Sequence, residues 1–136
     1  MASEDLSLNK SLVLIYKFKT HESTQMKQTP SHDLFNESIF QILQAMQPEK
    51  VVEVGCMRGT LARVYLETHP HCVWHGIDID PENIEHAKKV CTEGYLANIE
   101  QMTDLELRHF SNADTWIFGD VLEHLYDPWK LLDRIK

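Results

Sequence analysis

The sequence predicts an α/β fold in which helices cover both faces of a mostly parallel sheet, and three observations carry that prediction. From residue 31 onward, β-rich stretches alternate with segments of helical spacing. Gly55 and Gly59 stand where the first such strand turns into a helix. A carboxylate, Asp78, closes the second strand, 19 positions after Gly59 (59 to 78). At 136 residues the chain suits one domain with one core, since folding at that length hides roughly two-thirds of the unfolded surface.

Residues 1–30 are polar apart from the run Leu12 to Tyr16, and read as an N-terminal arm or lid ahead of a domain spanning 31–136. Phe35, Ile39, Ile42, Leu43 and Met46 recur at helical spacing behind a Ser31 or Asp33 cap, and Pro48 ends that helix. Val51 to Val54 is β-branched and runs into Gly55, after which Leu61, Val64 and Tyr65 resume helical spacing until Pro70. A second strand, Cys72 to Asp78, precedes Asp80 as N-cap and Pro81 at the first helical position. Ile84, Ala87 and Cys91 mark the buried face of that helix, Lys88 and Lys89 suit its last turn, and Gly94 stops it. A short strand follows at Tyr95 to Ala97, then a helix near Met102 to His109. Thr115 to Phe118 reads as a buried fourth strand, and Asp127 with Pro128 opens a last helix. Strands alternating with helices pair in parallel through right-handed crossovers, giving a Rossmann-like three-layer sandwich.

Composition narrows the function classes. A net charge of -8 argues against a broad phosphate-binding surface, and hence against nucleic acid. Leu12 to Tyr16 is far too short to span a bilayer. Cys56, Cys72 and Cys91 are odd in number and form no Cys-x-x-Cys pair, so neither a disulfide framework nor a zinc ribbon is expected, and a reducing cytoplasm is.

The chemistry concentrates in Val51-Val52-Glu53-Val54-Gly55-Cys56-Met57-Arg58-Gly59-Thr60-Leu61, where glycines let a ligand approach the backbone. Asp78 lies near the spacing of about 20 expected of a carboxylate that grips ribose hydroxyls. A dinucleotide site needs Gly-x-Gly-x-x-Gly, whereas this loop reads Gly55-x-x-x-Gly59 with Glu53 two residues ahead, so NAD is the poorer ligand and an oxidoreductase the weaker reading. The pattern resembles the first motif of class I S-adenosylmethionine-dependent methyltransferases, in which the acid and glycines surround the amino-acid end of the cofactor. Gly76-Ile77-Asp78-Ile79-Asp80-Pro81 resembles the family's second motif, where the position of Asp78 binds both ribose hydroxyls. Ala97-Asn98-Ile99-Glu100 stands where the family often has Gly-Asp and an acidic residue beside adenine, and the Asn98 amide oxygen serves as acceptor in place of a carboxylate. Trp116-Ile117-Phe118-Gly119-Asp120-Val121-Leu122-Glu123-His124-Leu125, with Asp127-Pro128-Trp129, resembles the fourth-strand motif of the small-molecule branch.

The resemblance implies S-adenosyl-L-methionine as cofactor, held by Glu53, Gly55, Cys56, Met57, Gly59, Asp78, Ile79, Asn98, Ile99 and Asp120, and a small-molecule methyl acceptor. Met57 departs from the pattern, standing where the family most often has glycine; a side chain there is expected to hold φ below zero and to crowd the methionine moiety. If the acceptor is a hydroxyl or amine, His124 is the candidate base. Asp120, Glu123 and His124 share an i, i+3, i+4 face if helical, but no further ligand follows and no metal is expected. His69, His71, Cys72 and His75 match no zinc spacing and read as loop and surface. Trp116, Phe118 and Trp129 read as core, and Asn36 as part of a lid over the site.

The family's usual sheet has seven strands and only four are legible here, so the last strands of that sheet are lacking and the fourth is expected to become a bare edge. An edge carrying Trp116, Ile117 and Phe118 is an aggregation hazard that a second copy of the chain would shield, unless the chain is a fragment. Two functions compete: methyl transfer to a small molecule, and a non-catalytic cofactor-binding or protein-interaction module of the same fold.

Overall fold

The computed structural model describes residues 13–17 and 35–136. Its strands are β1 (Val13–Lys17), β2 (Lys50–Val54), β3 (Val73–Asp78), β4 (Glu93–Leu96) and β5 (Thr115–Gly119). They form one sheet in the order β1-β5-β2-β3-β4, and every pairing is parallel. The helices are α1 (Glu37–Met46), α2 (Thr60–Thr68), α3 (Pro81–Ala87), α4 (Asp104–Arg108) and α5 (Pro128–Ile135), with single 3-10 turns at Ile99–Gln101 and Leu122–His124. Among the described residues no helix is long and apolar enough to cross a membrane.

The three layers follow from the period of two along each strand. Val51, Trp74, Ile117 and Ile15 point to one face, where Ile39 and Leu43 of α1, Leu61, Ala62 and Tyr65 of α2 and Ile84 and Ala87 of α3 cover them. Val52, Val54, Ile77, Trp116 and Phe118 point to the other, against Leu107 of α4 and Leu131 and Leu132 of α5. Each fully buried apolar side chain contributes roughly 1.5–3 kcal/mol, and strands buried on both faces read as continuous apolar runs for this reason.

The bare edge expected on the fourth strand does not exist. β1 pairs with β5 along its whole length, from Val13 opposite Thr115 to Lys17 opposite Gly119, inside the span read as an arm. Ile15 is buried in the core and Leu14 packs on the opposite face. With that edge paired, the ground for a second copy shielding it falls away.

Smaller differences have local causes. Asn36, not Ser31 or Asp33, caps α1, its Oδ1 accepting from the Ile39 N–H at 3.1 Å; the two expected caps lie outside the described residues. α3 ends at Ala87 instead of running to Gly94, which lies inside β4, so Lys88 and Lys89 belong to the turn beyond the helix. The expected helix over Met102 to His109 is the five-residue α4, opened by a capping box in which Thr103 and Glu106 each bond the other's backbone N–H. Trp116 and Phe118 are core as expected, but Trp129 is 73% exposed. His75, expected at the surface, is buried against Tyr95, His109 and Phe110, and burial pushes its imidazole below the ordinary value.

Candidate functional site

In a parallel sheet the crevice lies at the carboxyl ends of the strands, where the strand order reverses. Here the reversal falls between β2, which leads on to β3 and β4, and β5, which leads to β1. The segments leaving β2, β3, β4 and β5 converge on that point.

Leaving β2, the chain must turn sharply to start α2, and Gly55 and Gly59 take φ of 74° and 83° to do so. A Cβ at Gly55 would collide with the Val121 side chain, and one at Gly59 with Val90. The loop is pinned by β3: the N–H groups of Gly55 and Cys56 donate to the Ile77 carbonyl at 2.7 and 3.1 Å, and the Met57 N–H donates to Asp78 Oδ2 at 2.8 Å. Asp78 Oδ1 accepts from the Asp80 N–H at 2.9 Å. Asp78 is buried, yet each of its oxygens keeps a lone pair for a ligand hydroxyl. The carboxylate therefore shapes the loop as well as facing the crevice, a second task that its spacing alone does not reveal.

Met57 corrects an expectation. Its φ is 51°, in the left-handed region, not below zero, and its side chain is 43% exposed. Asp120 does the same at the end of β5, with φ 52°. Two non-glycine residues in that region cost of order 1–3 kcal/mol each and persist where surrounding structure over-determines them; here both line one cavity.

That cavity, about 110 Å³, is walled by Phe35, Asn36, Glu53, Cys56, Met57, Thr60 and Asp120. Glu53 points to the α1 to α3 side of the sheet, its Oε1 accepting from Trp74 Nε1–H at 3.2 Å. Burial pushes its carboxyl up to about 8, against the lowering effect of the Trp74 hydrogen bond, and Asp78 adds to the rise. Burial also holds the Cys56 thiol far above the ordinary range, so it packs against Gly76 and is no nucleophile.

A second cavity of about 320 Å³, within the range of small-molecule sites, is lined by Gly55, Asp78, Ile79, Asn98, Ile99, Glu100, Asp120, Val121, His124 and Leu125. Gly55 and Asp120 border both cavities. Asn98 Oδ1 accepts from the Glu100 N–H at 3.0 Å, capping the turn after β4 and leaving its NH2 and a lone pair for a ligand. Ile79 is 71% exposed at the cavity rim while Ile99 is buried beneath it. His124 stands on a 3-10 turn with Glu123 Oε1 3.8 Å from its Nε2; the α-helical face that would align Asp120, Glu123 and His124 does not form. Of the expected site residues, all but Gly59, which sets the turn, border one of the two cavities. Glu100, Val121, Leu125 and Thr60 border them without having been given a role, although all four lie inside the quoted motifs.

Comparison with known proteins identifies the family. A family model described as "Methyltransferase domain" matches residues 52–136, well over half of the chain, and the protein belongs to that family. No curated protein matches the sequence. Among solved structures, the plantazolicin methyltransferase BpumL in complex with SAH is similar at 20% identity and a TM-score of 0.58, over 72% of this chain and 37% of that one. The N-terminal domain of EvdMO1 with SAH bound is similar at 19% identity and a TM-score of 0.60, over 81% of this chain and 46% of that one. The methyltransferase domain of a bacterial CtHen1 is similar at 19% identity and a TM-score of 0.51, over 73% and 55%. The chain thus spans between 37% and 55% of those proteins' lengths, and at these identities the likeness is one of fold.

Proposed function

We propose that residues 31–136 bind S-adenosylmethionine and present its methyl group to a small-molecule acceptor. One observation carries the reading: Gly55 and Asp78 face a single cavity, which meets a second through Gly55 and Asp120. The adenosyl half fits the larger cavity, with Asp78 on the ribose hydroxyls, Asn98 at the edge of the base and Ile79 and Ile99 against its faces. The amino-acid half fits the smaller one, where the buried Glu53 carboxyl would give up its proton and pair with the cofactor's ammonium group.

When bound, the cofactor supplies an electrophilic methyl on a sulfonium centre. The protein's own contribution is position and dryness: Gly55 clears space, Asp78 and Glu53 fix the two ends, and Val121 and Leu125 exclude water from the wall between them. His124, its side chain 72% exposed beside the larger cavity, would take the proton from a hydroxyl or amine acceptor as its oxygen or nitrogen gains the methyl. Three buried, unpaired thiols suit a reducing compartment such as the cytoplasm.

Titration calorimetry with S-adenosylhomocysteine tests the reading. Wild-type protein should bind, and Asp78→Ala should bind at least about tenfold more weakly, because two charge-assisted hydrogen bonds are lost, each contributing roughly 1.5–3 kcal/mol. Unchanged affinity in Asp78→Ala would show the ribose assignment to be wrong. His124→Ala should lower turnover with a hydroxyl acceptor about a hundredfold while leaving cofactor affinity alone, and equal turnover would remove it from the reaction.

A further inference from the structure

The loop after β5 carries Val121, His124 and Leu125 onto the larger cavity, and something must hold it there. Its last two residues before α5 do so through one side chain: Glu100 Oε1 accepts from the Tyr126 N–H at 2.8 Å and Glu100 Oε2 from the Asp127 N–H at 2.9 Å. Tyr126 is 99% exposed, so its side chain adds no packing to the attachment. Glu100 sits 26 positions earlier, on the 3-10 turn whose cap, Asn98, borders the same cavity. Asp127 in turn caps α5, its Oδ1 accepting from the Lys130 N–H at 3.1 Å. The far end of α5 has its own tie, Arg134 Nε donating to Asp104 Oδ1 at 2.9 Å and its Nη2 to the Met102 carbonyl.

Resting on the cofactor reading above, we infer that Glu100 is a positioning residue: its carboxylate clamps the Tyr126–Asp127 peptides and so fixes His124 and Leu125 as the wall of the nucleoside cavity opposite Asp78. A carboxylate is the side chain that suits the task, because both of its oxygens accept and both donors here are backbone N–H groups. Gln keeps one acceptor and turns an NH2 toward the other donor. Glu100 touches the cofactor's surroundings without being asked to touch its reacting end, so its loss should be felt by adenosine and by S-adenosylhomocysteine in equal proportion.

The experiment is calorimetry with both ligands on wild type, Glu100→Gln, Glu100→Ala and Arg134→Ala, with melting temperatures for all four. Arg134 ties down the same helix from its far end and borders neither cavity, so Arg134→Ala reports what mere loosening of α5 does. Glu100→Gln and Glu100→Ala should each bind adenosine and S-adenosylhomocysteine roughly tenfold more weakly, while Arg134→Ala stays within about twofold of wild type despite a lowered melting temperature. Amide hydrogen exchange at Tyr126 and Asp127 should accelerate in the Glu100 variants alone. Wild-type affinity in the Glu100 variants, or an equal loss in Arg134→Ala, overturns the positioning role and leaves the cofactor reading standing. Failure of wild-type protein to bind either ligand overturns both, even with the clamp itself visible by exchange.

Discussion

Met57 shows what a single residue costs and what that cost serves. Held at φ 51° with its N–H on Asp78, it keeps the turn after β2 open at a position where glycine would be free of strain. Met57→Gly should therefore raise the unfolding free energy by roughly 1 kcal/mol, less the entropy of a more flexible unfolded chain, and should not weaken S-adenosylhomocysteine binding; a clear loss in denaturant midpoint would mean that the methionine side chain itself holds the loop. The sequence identifies this residue as anomalous but cannot supply the sign of its φ, because the loop is tied to β3, its Met57 N–H bonding the carboxylate of Asp78, 21 positions away. That Asp78 closes β3 was legible from its spacing. Its hold on the loop was not, since it depends on which backbone N–H groups the fold brings within reach.

β2, α2, β3 and α3 were legible from local signals, and so was β5 from its apolar run although its partner β2 lies 64 positions away (51 to 115); β1 was not. β2, α2, β3 and α3 follow one another, and their caps, glycines and apolar spacing are local signals. β1 presents the same kind of signal, a short apolar run, but its partner begins 102 positions later (13 to 115), and parallel pairing leaves no local trace such as a hairpin turn. α5 illustrates the reverse error: its Trp129 looks like core by residue type, but the buried face of that helix is set by Leu131 and Leu132. If β1 protects the β5 edge, a charge in it should expose that edge. Ile15→Lys, placing an ammonium at a site 6% exposed, should cost about 2–5 kcal/mol and produce self-association that grows with concentration, seen by sedimentation velocity together with binding of an apolar dye. A variant that is destabilised yet strictly monomeric and dye-negative would show that β1 packs on the sheet without guarding it.

At the scale of the whole molecule, one buried acid sets how stability responds to pH. Glu53 has its carboxyl pushed up to about 8 by burial, against an ordinary 4.5 in the unfolded chain. Below 4.5 both states carry the proton and the contribution is constant. Between 4.5 and 8 the folded protein keeps a proton that the unfolded chain has released, so stability falls as pH rises, and above 8 the loss is complete. His75, whose imidazole is pushed down by burial, acts in the opposite sense but only below its ordinary 6.5, and the raised thiols of Cys56, Cys72 and Cys91 act only toward pH 9 and beyond. The interval from pH 7 to 8 is therefore left chiefly to Glu53, and wild-type protein should lose roughly 1 kcal/mol of unfolding free energy across it. Glu53→Gln keeps an acceptor for Trp74 and removes the ionisation, so its stability should be flat over the same interval and exceed that of wild type at pH 8 and above. A bound ammonium should reverse the demand, drawing the carboxylate into its charged form, so that at pH 7 wild-type protein releases a proton on binding S-adenosylhomocysteine and Glu53→Gln does not. Calorimetry in buffers of differing ionisation enthalpy reads that proton directly, and an identical buffer dependence in the two proteins would separate Glu53 from the cation-binding end of the crevice.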